Sequence, residues 1–309
     1  MFASLKYLTA NRTFYRLVHF NKTRFHIFSF RRSIGQDTEI ALDCDGAGPA
    51  VFLLHGVGGH RGQWTYPLTA LSEKCATFAW DARGYGDTLG PQVNSMQDFA
   101  DDFLRTLDSL KLNKVIAVGH SMGGRILMEV CALNPDRLVG MVLSGSQASY
   151  LAHLNDAQRL EYASSRETLF VNGAVSEDSA RHLAQQVLPA AVEATVINRL
   201  SADFMRLNRQ GYLDALRASA GWDRSDILSQ LKMPVAVLGG ALDTVCPPAE
   251  CVRIAELVGQ GPAVILDGIG HMAQIEAPQL VTKHLDDFIS AHAHLSDAID
   301  TQNLSGDTK

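Results

Sequence analysis

The 309-residue chain has no uninterrupted apolar run of secretory or membrane-spanning length. Charged or polar residues interrupt every candidate within a few positions, whereas a bilayer span needs about 20 consecutive apolar residues. Cysteine is scarce and unpatterned: Cys44, Cys75, Cys131, Cys246 and Cys251 are odd in number and lack paired metal-ligand spacing. A disulfide framework and a zinc site are therefore disfavoured. Free thiols in a reducing compartment fit, with the cytoplasm as the expected location. Basic charge is in deficit, the net being -6, which leaves no basic stripe for neutralising phosphates and argues against a nucleic-acid partner. No internal repeat is evident.

Acid is what the first 36 residues lack. They carry Lys6, Arg12, Arg16, Lys22, Arg24, Arg31 and Arg32, six of the 13 phenylalanines, and no Asp or Glu before Asp37. Two readings stand: a mitochondrial-type presequence, which is Arg-rich and poor in acids, or a plain basic N-terminal extension over residues 1–22. In the rest of the chain, a composition of 46% hydrophobic and 19% charged residues suits one substantial core. α/β folds run to this length as a single domain.

Short apolar runs rich in β-branched residues alternate with amphipathic segments, the pattern of parallel βαβ units. Strands are expected near 24–30, 38–43, 51–54, 76–80, 114–118, 138–144, 234–239 and 263–266. Ser95 is placed to cap a helix whose apolar residues Met96, Phe99, Phe103, Leu107 and Leu110 recur at helical steps. Another helix follows Pro278, with Val281, Leu285 and Phe288 on one face. Because Val51-Phe52-Leu53-Leu54 is apolar on both sides, its strand should be central and covered by helices on each face. The expected fold class is α/β, a mostly parallel eight-stranded sheet flanked by helices, with its core in residues 23–148 and 230–290. Between 149 and 229 no strand is expected, and Asn155, Ser176 and Ser201 are candidate helix starts. An insertion there lies above the strands' carboxyl ends, where such sheets bind ligands, so it reads as a helical lid before the last two strands. The polar tail, residues 291–309, carries no core pattern and is expected to fray.

The pentapeptide Gly119-His120-Ser121-Met122-Gly123 follows an apolar strand and opens a helix, which places Ser121 on a strand-to-helix elbow. A lone serine hydroxyl is a poor nucleophile and needs a base. His271 stands out among 11 histidines because Gly268-Ile269-Gly270 makes a loop after the last core strand that aims its imidazole at the sheet top. Asp243, on the loop beyond the strand Pro234 to Leu238, fits the carboxylate that fixes the imidazole's tautomer. Its plainer alternative is a turn or capping aspartate. The backbone N–H groups of Met122, next after the nucleophile, and Val57, on a glycine-rich loop, are the expected oxyanion donors. Cys246 lacks the strand-turn-helix setting of a nucleophile. Trp64, Arg125, Trp222 and Met272 are the candidate substrate-binding residues; each has a packing alternative, and Arg125 faces either a substrate carboxylate or a neighbouring loop.

Four motifs in order, His55-Gly56-Val57-Gly58-Gly59, Asp81-Ala82-Arg83-Gly84-Tyr85-Gly86, the elbow, and Asp243 with Gly270-His271, give a chain that resembles the α/β-hydrolase superfamily from Thr38 to Ile289. More narrowly, Gly211-Tyr212-Leu213-Asp214-Ala215-Leu216 and Asp223-Arg224-Ser225-Asp226 look like the 3-oxoadipate enol-lactonase group and its carboxylesterase relatives. The resemblance implies a loop-bracing role for His55 and a structural ion pair for Asp81 and Arg83. It further implies a cofactor-independent hydrolase of a small-molecule carboxylic ester or lactone acting through an acyl-enzyme. Two alternatives stay open: carbon-carbon bond hydrolysis of a vinylogous diketone, and a ligand receptor on a hydrolase scaffold.

Overall fold

The computed structural model describes residues 13–20 and 23–306, so part of the basic stretch on which the presequence reading rests, residues 1–12 and 21–22, lies outside the described residues. Strands β1 (Thr13–Phe20), β2 (Thr23–Ser33), β3 (Glu39–Asp45), β4 (Ala47–Leu54), β5 (Ala76–Trp80), β6 (Val115–His120) and β7 (Leu138–Ser144) make the first part of one sheet. Helices α1 (Thr65–Leu71), α2 (Met96–Ser109) and α3 (Met122–Leu133) lie between them. A segment follows with the hairpin β8 (Phe170–Val171) and β9 (Ala174–Val175) among α4 (Asp156–Ser165), α5 (Glu177–Val187), α6 (Ala194–Phe204) and α7 (Arg209–Ser219). The chain then returns to the sheet through β10 (Val235–Gly240), α8 (Pro248–Val258), β11 (Val264–Leu266), α9 (Ala273–Glu276), α10 (Pro278–His292) and β12 (Ala298–Asp300).

Along the sheet the order is β1-β2-β3-β5-β4-β6-β7-β10-β11. From β5 to β11 every neighbour is parallel, and β1 to β3 add an antiparallel margin. The two-sided apolar run of β4 works as its sequence demands. Phe52 and Leu54 enter the core on one face, Val51 and Leu53 the other, and all four are fully buried. Phe52 stacks on Phe78 with centroids 4.7 Å apart and meets the edge of Phe103 from α2 at 5.4 Å. Ser95 starts α2 with a capping box completed by Asp98.

Four expectations need correction. The sheet has ten strands, because β1 joins β2 and β12 pairs antiparallel with the amino end of β4, Ala298 opposite Pro49 and Asp300 opposite Ala47. The polar tail is therefore ordered through Gly306. Asp297 fixes its entry, its N–H donating to Lys114 O at 2.8 Å while its carboxylate accepts Asn113 N–H at 2.6 Å. Within 149–229, Asn172-Gly173, at φ +52° and +85°, turns the hairpin that was not expected. Asn155 and Ser176 do cap α4 and α5, but Ser201 lies inside α6 with its hydroxyl donating to Ile197 O; Asn208 starts α7 instead. Among the described residues no helix is long and apolar enough to cross a membrane.

Candidate active site

Ser121 follows β6 directly and caps α3 at φ +51°, ψ -113°, a region L-residues adopt only under strain. The elbow can be this sharp because nothing but hydrogen fits at its flanks. A Cβ on Gly119 would sit 2.4 Å from Gly124 N, and one on Gly123 would sit 2.4 Å from Leu54 O. Strand β4, strand β6 and helix α3 thus meet at backbone distance, and the hydroxyl is lifted off the sheet's carboxyl edge. Ser121 lines a cavity of about 180 Å³ between that edge and the helices of 149–229, together with Val57, Arg125, His271 and Met272.

His271 sits on the loop after β11 and is 7% exposed. Its Nδ1 lies 2.8 Å from Asp243 Oδ2. A carboxylate can only accept, so Nδ1 carries the proton and Nε2 keeps a lone pair. Asp243 is held in turn: its Oδ1 accepts the N–H groups of Val245 and Cys246, each at 2.8 Å. The turn role and the imidazole contact use different oxygens of one side chain. The His271 loop has a brace that the sequence reading missed. Glu276 accepts Gly270 N–H through Oε2 and Met272 N–H through Oε1, both at 2.8 Å, so it grips the backbone on either side of the histidine. Burial raises its pKa despite those bonds. Its only sequence signal is an acid one turn after a loop histidine, which is too common to single out. From above, Val187 at the end of α5 accepts the N–H of His271 at 3.1 Å.

The rival histidines are neutral braces. Ala82 N–H donates to His55 Nε2 at 3.0 Å, so the proton is on Nδ1, which donates to Gly56 O at 2.8 Å. Burial lowers the His55 pKa from 6.5 to about 4. With both nitrogens committed to backbone, it has no lone pair to offer a substrate. His120 packs its ring 4.7 Å from that of His271 and directs Nδ1 to Ser144 O at 3.2 Å. Burial, then the nearness of His271, hold its pKa well below the usual value, so no second cation forms beside the imidazole.

Of the two expected backbone donors, Met122 follows the serine directly and Val57 lines the same cavity. Met122 N–H is among the first amides of α3, which have no carbonyl one turn back. Val57 follows β4 on a loop closed by Gly59 N–H donating to Gly56 O at 3.0 Å. Gly58, at φ +78°, lets α6 approach, since a Cβ there would sit 2.8 Å from the Phe204 ring.

The candidate substrate contacts divide. Arg125 and Met272 line the cavity. Trp64 does not: it is fully buried beneath the sheet with Leu68 and Leu71, where its ring fills core. Trp222 is also elsewhere, its Nε1–H donating to Glu129 Oε2 at 2.7 Å. Asp81 and Arg83 do not pair with each other. Arg83 grips Asp102 in a fork at 2.7 and 2.6 Å, while Asp81 takes Arg61, which also reaches Asp43 at 2.8 Å and Asp87 at 2.6 Å. All five cysteines are free and buried; Cys246 lies at the cavity wall with its N–H bound to Asp243.

The family described as alpha/beta hydrolase fold matches residues 49–278. Among known proteins, the dihydrolipoyllysine-residue acetyltransferase component of an acetoin cleaving system from Pseudomonas putida is 27% identical over 261 residues, 81% of this chain and 66% of that protein. This chain thus spans about two thirds of that relative's length. The (E)-2-((N-methylformamido)methylene)succinate hydrolase of Acinetobacter baylyi is 25% identical, with 77% of this chain and 89% of the relative covered. Among solved structures, the enol-lactonase from Burkholderia xenovorans LB400 superposes with a TM-score of 0.73 at 22% identity, covering 82% of this chain and 97% of that one. At that identity the likeness speaks for the fold. The matched span takes in the elbow and the loops of Asp243 and His271, and the chain belongs to the alpha/beta hydrolase family.

Proposed function

We propose that the protein is a serine hydrolase of carboxylic esters or lactones that works through an acyl-enzyme, with Ser121 as nucleophile, His271 as base and Asp243 as its orienting carboxylate. The observation that carries this reading is the 2.8 Å bond from His271 Nδ1 to Asp243 Oδ2, which leaves Nε2 basic in a protein whose cavity is lined by both His271 and Ser121. Nε2 takes the Ser121 proton as Oγ attacks the acyl carbon. The N–H groups of Met122 and Val57 stabilise the oxyanion, and His271 then protonates the leaving alcohol. Water, activated by the same nitrogen, releases the acid. A lactone keeps its alcohol tethered to the acyl chain and is otherwise no different. The helices of 149–229 serve as the lid that shapes the acyl pocket.

Carbon-carbon bond hydrolysis uses the same three residue types, and the buried guanidinium of Arg125 in the cavity supplies the carboxylate site that such a substrate needs. A panel of esters, lactones, enol-lactones and vinylogous diketones, assayed with native protein and Ser121→Ala, separates these readings. Ester or lactone turnover should fall by on the order of a thousandfold or more in the variant, with the fold intact by circular dichroism. Ester turnover that survives the substitution would remove the serine mechanism.

A further inference from the structure

Among the described residues, the wall of the cavity holds two arginines and no acid. Arg125 and Arg166 both line it, and among the described residues no Asp or Glu does. This is an unusual lining in a chain with a net charge of -6. Arg125 is the more informative of the two. It is 3% exposed, its Nε has no hydrogen-bond partner, and among the described residues no carboxylate forms an ion pair with it. Among the described residues the other buried arginine, Arg83, is matched to Asp102, and the half-buried Arg61 to three carboxylates. A guanidinium taken out of water without a counter-charge is costly, and it stays charged because its intrinsic basicity is so high.

The neighbours of Arg125 supply no counter-charge. Its Cζ lies 4.1 Å from the centroid of the Tyr150 ring, a cation–π contact that offsets part of the burial. The Tyr150 hydroxyl bonds to that of Tyr162 at 2.8 Å, and the Tyr162 ring in turn carries Arg166, whose Cζ is 5.0 Å from its centroid. Burial raises the pKa of the Tyr150 hydroxyl, so the phenol remains a neutral shelf. Two positive charges thus face the cavity across aromatic rings.

Position says what the charge is for. Arg125 lies one helical turn beyond the nucleophile, its N–H donating to Ser121 O at 3.3 Å. Four residues of helix advance about 6 Å, so a group held by Arg125 and a carbonyl at Ser121 belong to one small molecule. From this geometry we infer that Arg125, with Arg166 at the tyrosine shelf, forms an anion subsite that recognises a carboxylate on the substrate. The substrate class is then a half-ester of a short dicarboxylic acid, or a lactone bearing a free carboxylate. The planar fork of Arg125 suits a carboxylate's two oxygens. This inference rests on the serine-hydrolase reading above and narrows it.

The test compares phenyl hydrogen glutarate with the phenyl ester of the matching ω-carboxamide, which has the same shape without the charge. Native protein should favour the carboxylate in kcat/KM by at least tenfold and on the order of a hundredfold. Arg125→Met should collapse that ratio towards one, and Arg125→Lys should restore part of it by returning charge without the fork. Should Arg125→Met not fold, Arg166→Met must still lower the ratio. Independently, glutarate must inhibit native hydrolysis of phenyl butyrate competitively, where glutaramide and inorganic phosphate at equal concentration do not. Equal rates on the two esters, or an unchanged ratio in folded Arg125→Met, overturn the anion subsite while leaving the serine mechanism standing. Inhibition by phosphate and not by glutarate overturns the carboxylate assignment. Hydrolysis of both esters by Ser121→Ala marks failure of the underlying mechanism instead.

Discussion

Asp243→Asn separates a catalytic carboxylate from a turn former, because the structure dictates how an amide must sit there. Oδ1 accepts two backbone N–H groups, those of Val245 and Cys246, and Oδ2 faces His271 Nδ1. An asparagine keeps the turn only by placing its oxygen at the Oδ1 position, which puts its NH₂ against Nδ1. The imidazole must then accept at Nδ1 and carry its proton on Nε2, the tautomer that cannot take a proton from Ser121. Turnover should fall by on the order of 10⁴, about 5 kcal/mol of transition-state stabilisation. Stability should fall by only about 1–2 kcal/mol, since both turn bonds survive and lose merely their charge assistance. Asp243→Ala, by contrast, strands two amides and the ring nitrogen, each at a cost of roughly 1–3 kcal/mol. Ester hydrolysis by stopped flow and urea unfolding on the same preparations give both quantities. An Asn variant within tenfold of native activity would show that the side chain serves the turn alone and would refute the reasoning.

Glu276→Ala frees the amides of Gly270 and Met272, and should lower kcat more than it raises KM while costing roughly 1–3 kcal/mol per stranded amide; a steady-state assay with native-like kcat would show that the His271 loop holds itself. Gly123→Ala forces a methyl to 2.4 Å from Leu54 O, so the elbow must shift, and a loss of about 1–3 kcal/mol or more in urea melts is expected. Stability should also fall as pH falls below the ordinary histidine range. Folded His55 has its pKa lowered from 6.5 to about 4, so between those values the unfolded chain binds a proton that the folded chain refuses. The contribution is fully present above pH 6.5, and by pH 4 about 3 kcal/mol of it is gone. His120 adds to the loss in the same direction. Unfolding free energies that stay flat from pH 7 to 5 would count against neutral burial of these rings.

What the sequence made legible was local. Runs of two-sided apolar residues marked the central strands, and the elbow, Asp243 and His271 each sit within a few residues of a strand end, where glycine permits the turn. What it hid depends on partners far along the chain. β12 is three residues with no periodicity of its own, and only its pairing with β4 makes it a strand. Arg83 stands beside Asp81 in sequence yet finds Asp102 19 residues on. Trp64 offers the same bulk to a pocket or to a core, and the choice follows from which way its short helical turn faces. The unpaired state of Arg125 is the extreme case, since a missing counter-charge can be seen only once all of its neighbours are in place.

The pairing of β12 with the amino end of β4 has a practical corollary. The last described turns are anchored beneath the sheet, at the opposite pole from the elbow. Anything coupled there hangs below the molecule, and a protein tethered to a solid support through that pole would present its reactive mouth outward, towards solution.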